Sequence, residues 1–535
     1  MSTQRGDFHG GRLTRRGLLR VGVGATGGLA LAGTGWTGSR LAFAAPGLLQ
    51  SEPKQGGTLR LALAHEPDSL DPHYLLTTEA FRIVEQLYSS LVSLDKDMNI
   101  VPDVAEEWTI NDDATQFDFK IRQGIMFHHG RELEAADVEY TARRLADGSP
   151  YEYIFRDLDQ ITVPDKSTIT FTFKRSAAHF LAAMSPRWTG IVAKEIVEKA
   201  GLDGMKTSAS GSGPFKLVEW NPLQQVVVER NENYWEPGLP YLDQIIWTPV
   251  EDEVSRVNQV TSGTMDLDID GPGKLFDTYA GASDLEVLEG PVCSFLYCGF
   301  NAARPPFDKK EARQAVAWAL DRQQIVDFVA NGHGVPITGG PIGPDTHWAY
   351  NGLPIYTAPD PEKAKSLLQQ AGVVEGTEVV LVTTSGGAWA DIAQVIQQQL
   401  APVGINVKIE AIEGGAANTR VFQEHDFDLT IRRWGTMIDP NDFTGEFFYS
   451  TGSYNFGQLN DPKIDELLDK GIAVANQEER KQVYAEIEQY LAADAVPYAF
   501  LYRPTVYAAY HGDVKDLQHE TANTRLSLKQ VWLDR

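Results

Sequence analysis

Residues 379–412 read VVLVTTSGGAWADIAQVIQQQLAPVGINVKIEAI and predict two strands with a helix between them. Apolar β-branched residues dominate Val379–Thr383, and Ile405–Ile412 begins by alternating apolar and polar positions, as half-buried strands do. Ala390–Leu400 has the apolar spacing of a helix. A strand, a helix and a second strand in succession imply parallel pairing, because parallel neighbours need a crossover connection. This unit indicates an α/β fold.

Further helices are predicted around this unit in the second half of the chain. Asp360-Pro361 and Asp461-Pro462 each combine an acidic N-cap with a proline at the first helical position. Asp308 predicts a helix that runs to about Val329, and Glu478–Leu491 predicts a last long helix. The first half of the chain is predicted to be richer in strands, at Thr58–Ala64, Phe117–Ile121, Thr168–Phe173 and Gln225–Glu229.

Composition limits the possible function. The chain has 535 residues, which suggests several domains, and 42% of them are apolar. Its net charge of -26 argues against a nucleic-acid partner, because such a surface repels phosphate backbones. Two cysteines exclude both a disulfide-rich scaffold and a four-cysteine metal site.

The N-terminal segment, residues 1–44, is predicted to be an export signal that is cleaved near Ala44. Arg15 and Arg16 precede a short, mildly apolar run, which resembles a twin-arginine signal, and Ala42-Phe43-Ala44 matches an A-x-A cleavage pattern. No later segment has 18 consecutive apolar residues, and no cysteine follows the cleavage point closely enough to carry a lipid. We therefore expect a soluble periplasmic protein without a direct membrane anchor.

Several stretches, taken together in order and spacing, resemble the bacterial extracellular solute-binding proteins of family 5, the peptide and nickel type. Each stretch alone is a weak signal, but the resemblance runs from about Gly57 to Tyr502. The stretches are EPDSLDP at 66–72, IVPDVAEEW at 100–108, FHHG at 127–130, GPFKLVEW at 213–220, ERNENYW at 229–235, SGTMD at 262–266, FN at 300–301, PFD at 306–308 and ALDR at 319–322.

The resemblance implies an α/β, two-lobed periplasmic-binding-protein fold with a hinge and an extra inserted α+β domain. Carried onto this chain, lobe I is expected at 45–88, 206–290 and 499–535. The inserted domain is expected at 89–205 and lobe II at 291–498. The change from the strand-rich to the helix-rich half falls near the expected start of lobe II.

The function implied is capture of a small solute between the lobes and delivery to the membrane permease and ATPase subunits of an ATP-driven importer. Peptides, opine-like conjugates, sugars and other polar solutes remain open as ligands. We expect a monomer that is not an enzyme, with no catalytic residue, no cofactor and no metal. The chain has no G-x-x-x-x-G-K-[ST] motif, so it is not expected to hydrolyse nucleotide. The alternatives are a chaperone or sensor component with the same fold, and a secreted hydrolase.

Trp434 is the first candidate for ligand contact, since the matching tryptophan lines the pocket in relatives. The predicted strand Thr430–Gly435 places Arg432 and Trp434 on one face and Arg433 on the other. Arg432 could offer its planar guanidinium to a carboxylate or phosphate. The competing interpretations are a core tryptophan and an ion-paired surface arginine.

Peptide-binding relatives hold the ligand's ammonium with an aspartate three residues after that tryptophan, where this chain has Met437. Asp439 is the nearest substitute, although the loop looks one residue shorter. This departure favours an anionic or polyhydroxylated ligand over a peptide. The remaining candidates lie at predicted strand ends, helix starts or the loop after the cleft, and they are His65, Glu66, Tyr297, Trp389, Tyr454, Asn455 and Phe456.

Overall fold

A computed structural model describes residues 52–535 except 76, 97, 270, 272–274, 292, 344–347, 436–437, 453 and 519–525. The predicted export signal and its cleavage point lie outside the described residues. No helix within the described part of the chain combines the length and the apolar character needed to cross a membrane.

The first described elements are one strand and one helix. Strand β1 spans Thr58–Leu63 and helix α1 spans Thr78–Leu87. Thr77 begins α1, because its hydroxyl accepts a hydrogen bond from the backbone N–H of Ala80. The strand predicted at the start of the mature chain is confirmed, ending one residue earlier than expected.

The next segment forms a separate antiparallel sheet with helices packed against it. Its four main strands are ordered β4-β5-β7-β6, and alternate residues such as Phe117, Phe119 and Phe171 point into the core around Phe180. The elements are β2 Val92–Leu94, β3 Ile100–Pro102, β4 Ala105–Ile110, β5 Gln116–Ile121, α2 Ala135–Ala146, β6 Leu158–Asp165, β7 Thr168–Phe173, α3 Phe180–Ala183 and α4 Lys194–Lys206, with short 3-10 helices at Glu152–Phe155 and Arg187–Thr189.

The chain then returns to the sheet that contains β1. Strand β1 pairs in parallel with both β10 and β11. The elements of this segment are β8 Phe215–Asn221, β9 Gln225–Arg230, β10 Gln244–Pro249, α5 Glu253–Thr261, β11 Leu267–Asp268, α6 Phe276–Ala280 and β12 Leu285–Pro291.

The second half contains the predicted strand–helix–strand unit. Strand β15 pairs in parallel with β16, with Val379 opposite Val407, and also with β17, which confirms the parallel arrangement. The elements are β13 Phe295–Phe300, α7 Lys310–Ala319, α8 Arg322–Ala330, β14 Gly334–Pro336, α9 Pro361–Gln370, β15 Thr377–Thr384, α10 Gly387–Leu400, β16 Ile405–Ile412, α11 Gly414–Asn418, β17 Leu429–Trp434, α12 Asn441–Phe448, α13 Pro462–Ala473 and α14 Gln477–Gln489.

One predicted helix is wrong. Instead of a single helix from Asp308 to about Val329, the structure has α7 and α8 with Leu320 extended between them. Asp321 starts the second helix, because its carboxylate accepts a hydrogen bond from the backbone N–H of Gln324 at 3.0 Å. The apolar spacing continues across the break, so the pattern alone favours one helix.

A long strand joins the two halves of the molecule. Strand β18, Tyr498–His511, pairs through its first half with β13 and β14 and through its second half with β11 and β12. The connected sheet therefore follows the order β16-β15-β17-β13-β18-β11-β1-β10-β9-β8. Two short strands follow, β19 Val514–Lys515 and β20 Trp532–Leu533.

Buried side chains form separate cores in these regions. One core combines Leu61, Leu87, Trp247 and Leu533, a second lies within residues 91–193, and lobe II has two clusters, one of them around Leu381. We use the names lobe I for residues 53–88, 206–290 and 499–535, inserted domain for 89–205 and lobe II for 291–498. Lobe I begins here at 53 and not at the expected 45, because residues 45–51 lie outside the described residues. The other boundaries are the ones expected from the sequence, and all of them remain a prediction.

Candidate functional site

A cavity of about 300 Å³ lies where lobe I, the inserted domain and lobe II meet. Its volume is at the lower end of the range for small-molecule sites. Its walls come from α1, the segment that follows α2, the 3-10 helix at Arg187–Thr189, the end of β17 and α12. The lining residues are Leu75, Thr78, Phe81, Pro150, Tyr151, Tyr153, Ala183, Pro186, Trp188, Trp434, Gly435, Ile438, Asp442, Glu446 and Tyr454.

Aromatic rings form much of the cavity wall, and neighbouring rings hold them in place. On the inserted-domain side, Trp188 contacts Phe81 edge-on at 5.0 Å and stacks with Tyr151 at 6.2 Å between ring centroids. On the lobe II side, Trp434 meets Phe447 edge-on at 4.7 Å, and Tyr454 stacks on the same Phe447 at 5.4 Å. Packing of this kind fixes ring orientation before any ligand arrives.

Trp434 is at the carboxyl end of β17, the position where α/β sheets place their sites. Its indole Nε1 is shielded from solvent and has no hydrogen-bond acceptor among the described residues. An unpaired buried donor is costly, so a ligand acceptor at this atom would be favourable.

Two carboxylates face the cavity from α12. Asp442 and Glu446 are four residues apart and therefore on the same face of the helix. Glu446 accepts a hydrogen bond from Arg156 of the inserted domain at 2.7 Å. Oδ2 of Asp442 accepts from the backbone N–H groups of Ile438 at 3.0 Å and Asp439 at 2.8 Å.

The described residues of the cavity wall include carboxyl groups but no basic side chains. Burial, with the nearby charge of Asp439, raises the pKa of Asp442 to about 7. Burial also raises the pKa of Tyr151 and Tyr153, so both hydroxyls stay neutral at physiological pH. Among the described residues that line the cavity, none is Lys, Arg or His.

A buried ion pair anchors the loop between β17 and α12. Nη1 of Arg480 donates to Oδ2 of Asp439, and Nη2 donates to Oδ1, both at 2.8 Å. The two side chains are 5% and 3% exposed. Burial alone would raise the pKa of Asp439, but the charge and hydrogen bonds of Arg480 outweigh it and lower the pKa. Asp439, which the sequence suggested as a ligand contact, therefore uses both carboxylate oxygens on Arg480.

Arg432 lies inside lobe II and is not among the residues that line the cavity. It is 7% exposed, donates from Nη2 to the carbonyl of Ala417 at 3.0 Å, and lies over the ring of Phe422. Burial lowers its pKa. The predicted alternation holds, since Arg433 is exposed. The hypothesis of an anionic ligand consequently loses the arginine on which it rested.

Three further candidates pack within lobe II. Tyr297 is buried and stacks on Tyr498 at 4.5 Å, and Phe456 stacks on Tyr498 at 5.4 Å. Asn455 shapes a turn, because its side chain donates to the carbonyl of Leu459 at 2.7 Å and accepts from its N–H at 3.0 Å. Of the predicted loop trio, Tyr454 is the member that lines the cavity.

The remaining candidates lie apart from the cavity wall. Glu66 accepts hydrogen bonds from Nε1 of Trp220 at 2.7 Å and from the N–H of Leu223 at 3.1 Å, which ties it to the β8–β9 hairpin. His65 is exposed, and Trp389 is half-buried against the core of lobe II. The structure thus brings together Trp434 and Tyr454, but not the other eight candidates.

Some residues of the cavity wall are not among the candidates predicted from the sequence. Asp442 and Glu446 had a detectable signal, an acidic pair at helical spacing soon after the candidate Trp434. Tyr151 and Trp188 had none, because they come from a domain more than two hundred residues earlier in the chain.

The inserted domain also contacts lobe II beside the cavity. Besides the Arg156–Glu446 bond, a charged pair joins Arg175 to Asp469 at 3.5 Å. Ile438 of lobe II packs in one apolar cluster with Leu94 and Ala182 of the inserted domain. A ligand in the cavity would therefore touch elements on both sides at once.

Comparisons with known proteins agree with this architecture. The model for the middle region of bacterial extracellular solute-binding proteins, family 5, matches residues 99–455. The glutathione-binding protein GsiB of Salmonella paratyphi A is 27% identical over 433 residues, covering 78% of this chain and 84% of the relative. GsiB of Escherichia coli K12 is 26% identical over 429 residues, covering 78% and 83%.

Two solved structures share the fold over nearly the whole described chain. AgaA of Agrobacterium tumefaciens R10, in complex with agropinic acid, has a TM-score of 0.79 and 28% identity, covering 90% of this chain and 99% of that one. The oligopeptide-binding protein AppA of Bacillus subtilis, in complex with a nonapeptide, also has a TM-score of 0.79, with 26% identity, covering 90% and 100%. The two-lobed α/β fold expected from the sequence is therefore confirmed.

Proposed function

The chain belongs to the bacterial extracellular solute-binding proteins of family 5, and we propose that it captures a short peptide-like or opine-like solute in the cavity between the inserted domain and lobe II. Its role as a solute-binding receptor follows from the family and from the relatives, which are named as binding proteins. The proposal concerns the ligand, the place of capture and the partners that receive the solute.

The observation that carries the proposal is the composition of the cavity wall. Trp188 and Tyr151 on one side face Trp434 and Tyr454 on the other, so a ligand between them gains contacts that it loses when the sides separate. A ligand stabilises a closed form only by such a difference in affinity. A shift of the ratio of closed to open form from 1:99 to 99:1 needs about 5.5 kcal/mol of this preference. Closure by hinge motion is therefore part of the proposal.

The size of the cavity supports a short solute. GsiB is named for glutathione, AgaA is bound to agropinic acid, and AppA is bound to a nonapeptide. About 300 Å³ corresponds to roughly ten water molecules at ~30 Å³ each, which suits a solute nearer in size to the first two than to a nonapeptide.

We further propose that the protein acts in the periplasm and passes the solute to the permease of an ATP-driven importer. The family is described as extracellular solute-binding proteins, its solved member DppA of Helicobacter pylori is named a periplasmic binding protein, and the predicted export signal would bring this chain to that compartment. Capture requires no chemical step by the chain itself, and the ATPase subunits of the importer would supply the work of transport.

A thermal-shift screen of the purified mature chain tests the proposal. The panel contains glutathione, dipeptides and tripeptides, opines, sugars and metal ions. A solute at 100 times its Kd should stabilise the folded chain by about 2.7 kcal/mol. At the same solute concentration, Trp434→Ala should reduce this stabilisation to about 1.4 kcal/mol or less, which corresponds to a tenfold or greater loss of affinity, while Trp389→Ala, at a tryptophan away from the cavity, should keep it. No response to any class in the panel would contradict the receptor function.

A further inference from the structure

We propose that His179 is a proton-sensitive switch for closure: the inserted domain and lobe II come together when its imidazole is neutral and separate more readily when it is charged. The inference rests on the closure that is part of the proposed function, and it adds a control of that closure by pH. His179 is not among the residues that line the cavity, so the switch acts on closure and not on the solute itself.

His179 lies in the part of the inserted domain that faces lobe II. It directly precedes helix α3, whose Ala182 packs in one apolar cluster with Ile438 of lobe II. Shortly before His179 in the chain, Arg175 pairs with Asp469 of lobe II at 3.5 Å. The chain therefore contacts lobe II on both sides of this histidine, and separation of the inserted domain from lobe II would change the surroundings of the imidazole.

One ring nitrogen of His179 is closed off from water in the structure. Nδ1 is shielded from solvent and has no hydrogen-bond partner among the described residues. A neutral imidazole can leave this nitrogen without a proton, whereas the charged form carries an N–H on both nitrogens. Protonation in the closed form would therefore create a buried donor without an acceptor, which costs free energy.

The groups around His179 act on its protonation in the same direction as the missing acceptor. Burial lowers the pKa of His179 to about 4, while charged neighbours of both signs oppose one another. Lobe II contributes Asp439 and Arg480. The inserted domain contributes Asp157 and Arg156. A histidine freed from this contact would return towards its ordinary pKa of about 6.5.

The difference between these two pKa values sets the direction of the switch. Because the pKa is lower in the closed form, His179 favours closure above about pH 6.5, and this contribution is lost as the pH falls towards 4. Through this residue alone, the ratio of closed to open form should fall about tenfold between pH 7.5 and 5.5. Asp442 on the cavity wall would act in the opposite direction, because burial raises its pKa to about 7. A comparison of chains that all keep Asp442 isolates the contribution of His179.

Distances between spin labels test the switch in the mature chain without a solute. Lys174→Cys in the inserted domain and Lys470→Cys in lobe II would carry the labels, because both lysines are exposed and each is the sequence neighbour of a residue in the charged pair described above. The native thiols of Cys293 and Cys298 are buried and should stay unlabelled. Pulsed electron resonance then gives the ratio of short to long distances, and hence of closed to open form, at each pH.

Variants of the doubly labelled chain assign the pH effect to His179. The ratio of closed to open form in the wild-type background, divided by that in His179→Gln, should fall about tenfold from pH 7.5 to 5.5. His179→Asn, a second neutral replacement, should match His179→Gln, so the test does not depend on the folding of one variant. His129→Gln is the matched control, because His129 bonds to Glu195 of the inserted domain and Ser210 of lobe I, and it should behave as wild type.

The outcomes separate the switch from the proposed function. The same pH dependence in wild type and in both His179 variants, including none in any of them, would overturn the switch. An equal loss of the effect in His129→Gln would also overturn it. Binding of a panel solute that depends on Trp434 would then still support the receptor function. A pH effect that requires His179, in a chain that binds no solute of the thermal-shift panel, would support the switch and contradict the proposed capture.

Discussion

Replacing Asp439 by Asn should destabilise the protein through the loop that carries the candidate site. The substitution keeps the size of the side chain but removes the charge that faces Arg480. The guanidinium would remain buried with neutral acceptors in place of a carboxylate that now holds it through two 2.8 Å hydrogen bonds. The loop from Trp434 to Asp442 would lose its main electrostatic anchor.

The expected magnitude follows from the burial of this pair. With side chains 3% and 5% exposed, removal of one partner costs about 3–5 kcal/mol, since the other charge stays buried without compensation. Unfolding entropy is ~2.1 cal/mol/K per residue, which gives ~1 kcal/mol/K for about 480 residues. The melting temperature should therefore fall by about 3–5 °C.

Thermal unfolding of four chains tests this reasoning as a double-mutant cycle. The chains are wild type, Asp439→Asn, Arg480→Met and the double variant, which should recover part of the loss because no buried charge is left alone. The lowered pKa of Asp439 also sets the direction in which the stability of the protein changes with pH. The lowered pKa of Asp439 gives stability above the unfolded value of about 3.9, and this stability is lost as the pH falls towards 2. Additive losses in the double variant, or a stability difference between wild type and Asp439→Asn that does not shrink below pH 4, would contradict a stabilising ion pair between Asp439 and Arg480.

Three further predictions concern ligand binding and export. Trp434→Ala should weaken binding of the solute found in the screen at least about tenfold, because it removes a ring and the indole donor from the cavity wall. Arg156→Ala should leave the melting temperature nearly unchanged, since Arg156 is 53% exposed, yet speed solute dissociation by up to about fivefold by cutting its bond across to Glu446. Replacing Arg15 and Arg16 by Lys should block export, as measured by fractionation of cells.

Each of these predictions has a result that would contradict it. Unchanged affinity in Trp434→Ala would remove that residue from the site. A dissociation rate equal to wild type in Arg156→Ala would mean that the ion pair does not help to hold the cleft. Arg143→Ala is the control for Arg156→Ala, because Arg143 and its partner Glu139 both lie on α2 and their pair does not reach lobe II. Normal export of the lysine variant would indicate the general secretory route.

Local patterns in the sequence predict the elements of the fold better than their arrangement. Residues 377–412 indicate their strands and helix through spacing alone, so the parallel pairing follows. The break at Leu320 is not predicted, because the apolar spacing continues while Asp321 acts only as a local cap. The double pairing of β18 depends on partners far away in the chain, and no local pattern indicates it.

The sequence likewise predicts some residues of the candidate site and not others. Resemblance to a family pointed to Trp434, and proximity along the chain brought in Tyr454. Asp439 was suggested as a ligand contact because it is the nearest substitute for the aspartate of peptide-binding relatives. Nothing in the sequence joins it to its partner Arg480, 41 residues later. Asp442 looks like part of a solvated helix face, whereas the structure places it on the cavity wall with Tyr153 of the inserted domain. Charges in a site thus depend on long-range packing, which a single sequence does not supply.

Small-angle X-ray scattering of the mature chain, with and without the solute that stabilises it most in the thermal screen, measures whether the solute closes the two lobes. We expect a smaller radius of gyration with the solute, because contacts on both sides of the cavity favour the closed form. At a solute concentration near the wild-type Kd, this decrease should be largely lost in Trp434→Ala. An identical scattering profile for the wild-type chain, free and saturated with a tightly bound solute, would contradict capture by closure.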